Sequence, residues 1–137
     1  MHLKKRVLFI CTHNSARSQM AEGLMNALYG DRYEAYSAGT EPTQVSPYAT
    51  KVMAEAGIDI SRHYSKSLEQ FRGCNFDYVV TVCDRAKESC PFFPEAQNHL
   101  HVSFKDPSRL EGSEEEIIAE YRRLMSQIRN WLARTFG

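Results

Sequence analysis

The run Val7-Leu8-Phe9-Ile10-Cys11-Thr12-His13-Asn14-Ser15-Ala16-Arg17-Ser18 reads as a strand, a loop and the start of a helix. Four consecutive apolar residues suit a strand buried on both faces, as in a parallel sheet. The polar residues after it end the strand, and Ser18 to Leu28 carries Met20, Leu24 and Leu28 at helical spacing. A short loop between a strand and a helix presents backbone N–H groups at the helix N-terminus, where the helix dipole attracts an anion. The same field favours the thiolate of a cysteine placed there. Five residues separate Cys11 from Arg17, whose planar guanidinium can hold two oxygens of a tetrahedral oxyanion. Ser18 can reach the sulfur from the first helical turn. A lone cysteine behind a strand is more often a small buried residue, but the spacing to Arg17 and Ser18 makes Cys11 a candidate nucleophile in an oxyanion loop of Thr12, His13, Asn14, Ser15, Ala16, Arg17 and Ser18. Asn14 can steady such a loop by side-chain bonds to the backbone.

Outward from this stretch, strands and helices alternate. Gly30 closes the first helix, and Tyr33 to Ser37 followed by Ala38-Gly39 is a short second strand. Ser46-Pro47 is a cap and first-turn pair for a helix carrying Val52, Met53 and Ala56 and stopping at Gly57. Residues 61–72 are mixed, with a short helix expected around Leu68 and Phe71. Tyr78 to Val82 is a β-branched strand, and Leu100 to Phe104 a weaker last one. Glu114 to Phe136 places Ile117, Tyr121, Leu124, Met125, Ile128 and Leu132 on one helical stripe. The expected fold is α/β: a single domain spanning residues 1–137, three-layered α/β/α, with a central four-stranded parallel sheet and right-handed crossovers. Ligands of such sheets sit beyond the carboxyl ends of the strands, which is where Cys11, Cys83 and Asp106 fall.

The chain has 137 residues, enough for one core, with 17 Lys and Arg against 17 Asp and Glu. A net charge of zero gives no electrostatic footprint for nucleic acid. No apolar run approaches a membrane span or the core of a secretory signal, so a cytoplasmic protein is expected. Structural disulfides are rare there, so four cysteines point to redox chemistry or metal before staples. Cys83 and Cys90 lie seven apart, about 10.5 Å along an ideal helix, whereas a disulfide needs Cα atoms within about 7 Å. Bridging them requires the segment to unwind, a plausible redox switch. The absence of any Cys-x-x-Cys pair argues against zinc, and no metal or other cofactor is expected. His99 and His101 read as a solvated edge, and Cys74 as a bystander. Asp106-Pro107, at the end of a strand, is a candidate general acid beside the thiolate.

With Cys11-x5-Arg17-Ser18 and Asp106-Pro107 in view, the sequence resembles the low-molecular-weight protein tyrosine phosphatase fold. With Cys83 and Cys90 added, it resembles the thioredoxin-coupled arsenate reductases built on that fold. The likeness covers nearly the whole chain, through Phe9-Ile10-Cys11-Thr12-x-Asn14-Ser15-x-Arg17-Ser18-Gln19-Met20-Ala21-Glu22-Gly23, Tyr36-Ser37-Ala38-Gly39 and Val79-Val80-Thr81-Val82-Cys83. The resemblance implies arsenate as substrate, phosphate or sulfate as competing oxyanions, and thioredoxin as electron donor, with glutaredoxin the alternative. It implies that Cys11 attacks arsenate, Cys83 attacks Cys11, and Cys90 attacks Cys83. A tyrosine phosphatase is the competing reading, disfavoured because Ser108-Arg109 stand where phosphatases carry an aromatic pair; a non-catalytic anion sensor is a third. Two loop positions depart from the family: His13 where glycine is frequent, expected to add to the positive field, and Ala16 where a further cysteine is frequent. Some members bind potassium through Asn, Glu, Ser and Asp; the matching positions are Asn14, Glu22, Ser37 and Lys66, and the lysine is expected to replace the ion.

Overall fold

The computed structural model describes residues 3–82, 96–109 and 111–137, with the backbone alone of Arg109. Strands β1 (Lys5–Cys11), β2 (Tyr33–Gly39), β3 (Tyr78–Thr81) and β4 (Asn98–His101) form one sheet in the order β2-β1-β3-β4. Every pair is parallel, and β1 lies between β2 and β3 with Cys11 opposite Gly39. Helices α1 (Arg17–Tyr29), α2 (Pro47–Glu55) and α3 (Glu114–Phe136) complete the described layers, and α3 packs against both α1 and α2. Val7, Leu8, Phe9 and Ile10 are all fully buried. Successive strand residues face opposite ways, so both faces of β1 are covered, as its unbroken apolar run requires. Each such side chain removed from water contributes about 1.5–3 kcal/mol.

Local chemistry sets the helix starts. The Ser46 hydroxyl accepts the Ala49 N–H at 3.3 Å and Pro47 opens α2. Ser113 caps α3 through the Glu116 N–H at 3.2 Å, with Glu114, Glu115 and Glu116 in the positive first turn. Helix α1 is different: Ala16 at its N-cap makes no side-chain hydrogen bond, and its first turn holds no acidic residue. Its orphan amides and positive end are left for another anion.

Three local expectations are corrected. The last strand is Asn98–His101 and not Leu100 to Phe104. Parallel pairing with the short β3 fixes its register, so the ladder stops where β3 stops, and Val102 and Phe104 continue only as single bonds to the Thr81 and Val82 carbonyls. Leu28 belongs to the last turn of α1, which overhangs the core, and is 47% exposed, whereas Met25 is fully buried. On α3, Ile117 and Met125 are only half-buried, and Ile118 and Phe136 join the core instead. The 61–72 stretch contributes one turn of 3₁₀ helix, Leu68–Phe71.

Candidate active site

The loop between β1 and α1 is held from outside by its own carbonyls. Those of Cys11, Thr12, His13 and Ser15 accept the N–H groups of Thr40, Glu41, Thr43 and Ser46 at 3.3, 2.7, 3.2 and 3.0 Å. The Asn14 carbonyl accepts the Gln19 side-chain amide at 3.2 Å, and that of Ala16 accepts the Met20 N–H at 2.8 Å. In a trans peptide the C=O and the following N–H point in opposite directions. Six carbonyls pinned outward therefore turn the N–H groups of residues 12–17 toward the loop's interior, making a cradle for an anion before any anion arrives.

Asn14 fixes the bend. Its φ is 50°, a left-handed conformation that asparagine tolerates better than most residues. Its side chain, fully buried, donates to the Ser18 hydroxyl at 2.8 Å and accepts from the Gln19 amide and the Lys66 N–H, both at 2.9 Å. Gly39 meets the loop from β2: a Cβ there would lie 2.7 Å from the Thr12 carbonyl oxygen and 2.9 Å from the Asn14 nitrogen. Each buried bond lost with its partner left unpaired costs about 1–3 kcal/mol. Asn14→Ala is therefore expected to lower kcat/KM by at least about a hundredfold, measured in steady-state assays, while a loss below threefold would show that the side chain does not hold the cradle.

Cys11 lies at the floor of a pocket of about 190 Å³ that His13, Ser15, Ala16, Arg17 and Asp106 also line, with Thr43 and Ser108 at its edge. Drug-sized ligands occupy about 300–1,000 Å³; this one suits a small anion. The Sγ atom is 2.9 Å from the Ser18 hydroxyl, so the sulfur sits among polar groups although Cys11 is only 2% exposed. Arg17 leans across: one guanidinium nitrogen donates to the Phe104 carbonyl at 3.3 Å and the other lies 3.5 Å from Asp106 Oδ2. Asp106 Oδ1 accepts from the Ser108 N–H at 3.0 Å and the Ser108 hydroxyl at 2.7 Å. The arrangement brings a thiol, a ring of backbone N–H groups, a guanidinium and a carboxyl group to one pocket, the groups that displacement at a tetrahedral centre can use.

The predicted oxyanion residues thus divide. His13, Ser15, Ala16 and Arg17 line the pocket, while Thr12, Asn14 and Ser18 are buried in the wall around it. Cys83 and Cys90 lie outside the described residues. Cys74 is a half-buried free thiol, and the ring of His101 takes a 2.7 Å hydrogen bond with the Thr81 hydroxyl. Sequence reasoning missed Ser108, Gln19 and the backbone of 40–46. The Asp-Pro-Ser order carried the signal for the first, since an aspartate commonly bonds the residue two ahead; backbone rungs leave no trace in residue type.

Behind the loop, the Lys66 ammonium is 3.8 Å from Glu22 Oε1 and 2.9 Å from the Tyr64 carbonyl. The Ser37 hydroxyl donates to the same Glu22 oxygen at 2.9 Å, and His63 Nδ1 is 3.2 Å from the other. Burial pushes the Lys66 pKa down, and the Glu22 carboxylate opposes that. The lysine brings a positive charge to the Glu22 carboxylate, which the resemblance made a potassium ligand in some members. Potassium is expected to change kcat and KM by less than twofold when exchanged for a bulky organic cation; a strong rise in activity with potassium would contradict this.

Residues 6–135 match the family described as low molecular weight phosphotyrosine protein phosphatase. An arsenate reductase of Halalkalibacterium halodurans is 44% identical over 125 residues, 91% of this chain and 90% of that one. A solved arsenate reductase in a phosphate-binding state has a TM-score of 0.73 at 31% identity, covering 95% of this chain and 98% of that one. A thioredoxin-dependent arsenate reductase of Corynebacterium glutamicum has a TM-score of 0.66 at 30% identity, covering 96% of this chain and 61% of that one.

Proposed function

The chain belongs to the low-molecular-weight phosphotyrosine protein phosphatase family, and from that premise we propose that it reduces arsenate to arsenite by a relay of three thiols. The observation that carries this reading is the Cys11 sulfur, set 2.9 Å from the Ser18 hydroxyl on the floor of a pocket shared with Arg17 and Asp106. The relatives named arsenate reductases, identical at nearly half their positions across nine-tenths of the chain, support the choice of arsenic over a phosphate ester.

In this account arsenate enters the cradle with its oxygens on the loop N–H groups and the Arg17 fork. The Cys11 thiolate attacks arsenic, and an oxygen departs as water with a proton from Asp106. Cys83 then attacks the Cys11 sulfur. The electron pair of the S–As bond passes to arsenic, which leaves as arsenite, and a Cys11–Cys83 disulfide remains. Attack by Cys90 on Cys83 frees Cys11 and moves the disulfide to the pair Cys83 and Cys90, which an external dithiol reduces. Thioredoxin is the donor proposed, in line with the Corynebacterium relative described as thioredoxin-dependent.

A phosphate ester shares only the first attack, because a thiol cannot reduce phosphorus. Slow hydrolysis of small aryl phosphates is accordingly part of the same reading. Ser108 at the pocket edge, in place of an aromatic, offers no ring to grip a phosphotyrosine. The test is NADPH consumption by the purified protein with arsenate, supplied in parallel with a thioredoxin system and with glutathione and glutaredoxin. Turnover with thioredoxin is expected. Turnover with glutaredoxin alone would reassign the donor, and none with either would overturn the reductase.

A further inference from the structure

His13 occupies the loop position where glycine is frequent in the family it resembles, and its ring is not idle. Nδ1 lies 3.0 Å from the Glu41 carbonyl oxygen. A carbonyl only accepts, so Nδ1 carries the hydrogen whether the ring is neutral or charged. Nε2 is then a bare lone pair in the neutral ring and an N–H donor in the cation. The backbone beneath is fixed too: the His13 carbonyl accepts the Thr43 N–H at 3.2 Å and the Ser65 hydroxyl at 2.8 Å. The ring is thus pinned at one nitrogen on a pinned backbone, and His13 is among the residues that line the 190 Å³ pocket.

We propose that His13 is a proton-gated ligand of the oxyanion, whose Nε2–H joins the cradle only when the imidazole is charged. The proposal rests on the reading of the pocket as an oxyanion site. Every unprotonated oxygen of the oxyanion is an acceptor, and neutral Nε2 is an acceptor too, so the neutral ring can take only the O–H that hydrogen phosphate or hydrogen arsenate retains. Protonation adds both the missing donor and a positive charge. The other charged or titratable groups around the ring are Cys11 and Arg17 of the loop and α1, Asp106 across the pocket, Glu41 on the segment that holds Nδ1, and Lys66 on the neighbouring stretch, its ammonium turned to Glu22. All of them are present in both proteins, so comparing wild type with a His13 variant cancels whatever part of their titrations, and of the anion's, is uncoupled from His13.

The experiment is calorimetric titration of the reduced full-length protein with inorganic phosphate between pH 5.5 and 8.5. His13→Asn retains a donor near the Nδ1 position and cannot charge. The ratio of wild-type to His13→Asn affinity is expected to be at least about threefold at pH 5.5, the effect of one unit charge a few ångströms from an anion near solvent. It should fall to about one at pH 8.5. His13→Gln, a donor that never titrates, should bind phosphate with the same shallow pH dependence as His13→Asn. A ratio that stays constant across the range overturns the proton gate and leaves the pocket reading intact. No phosphate binding by any of the three proteins at any pH overturns the pocket reading and the gate with it.

Discussion

Cys11→Ser is expected to release no measurable arsenite and to hydrolyse no aryl phosphate, a loss of at least about 10⁴-fold in each activity. The pocket explains the size of the loss. The N-terminus of α1 and Arg17 stay in place, but a serine hydroxyl is a far weaker acid and a far weaker nucleophile than a thiol. A serine oxygen, once bonded to arsenic, also cannot be taken off as half of a disulfide. The remaining cradle is made of backbone and of Arg17, none of it altered, so Cys11→Ser should still bind inorganic phosphate and keep its circular dichroism. Retained binding with lost chemistry marks an enzyme. Retained biological action in a strain carrying only Cys11→Ser would instead favour an anion sensor.

Cys90→Ser separates the relay from the first attack. With arsenate and no external reductant it is expected to release at most one arsenite per chain, then to stop as the Cys11–Cys83 disulfide. A thioredoxin system should restore it poorly, because the resolving thiol is gone. Intact mass and peptide mapping read the trapped bond as a loss of two hydrogens between the two cysteine peptides. Sustained turnover at the wild-type rate would exclude Cys90 from the cycle. In the wild type, oxidation is expected to speed protease cutting between residues 84 and 90, since a regular helix would hold two thiols seven positions apart too far from each other to bond.

Much of this was legible in the residues, and the reason is local consistency. Val7 to Ile10 is apolar without a break, so a doubly covered strand was the economical reading, and all four residues are fully buried. Ser46-Pro47 and Ser113 with Glu116 state where α2 and α3 begin, and they begin there. The eight residues from Cys11 to Ser18 hold a thiol, a guanidinium and a hydroxyl at spacings that a strand–loop–helix brings together. What escaped was set at a distance. The end of β4 depends on its register with β3, which no residue of β4 encodes. Leu28 has the right spacing to be buried, but the last turn of α1 runs past the core. The rungs from residues 40–46 that turn the loop carbonyls outward are backbone bonds, and any sequence with the same path would make them. Asn14 was read as a steadying side chain; its left-handed backbone and its bond to Ser18, one step from the sulfur, show how that steadying works.

Selective protection of one thiol tests the centre of the account most directly. The reduced protein is treated with iodoacetamide under native conditions, with and without inorganic phosphate, and the alkylation of each cysteine peptide is followed over time. Phosphate is expected to slow the labelling of Cys11 at least about tenfold while leaving Cys74 untouched, because an anion seated on the loop covers the sulfur at its floor. Equal labelling of Cys11 with and without phosphate would mean that no oxyanion site lies over that sulfur, and the proposed chemistry would have no place to occur.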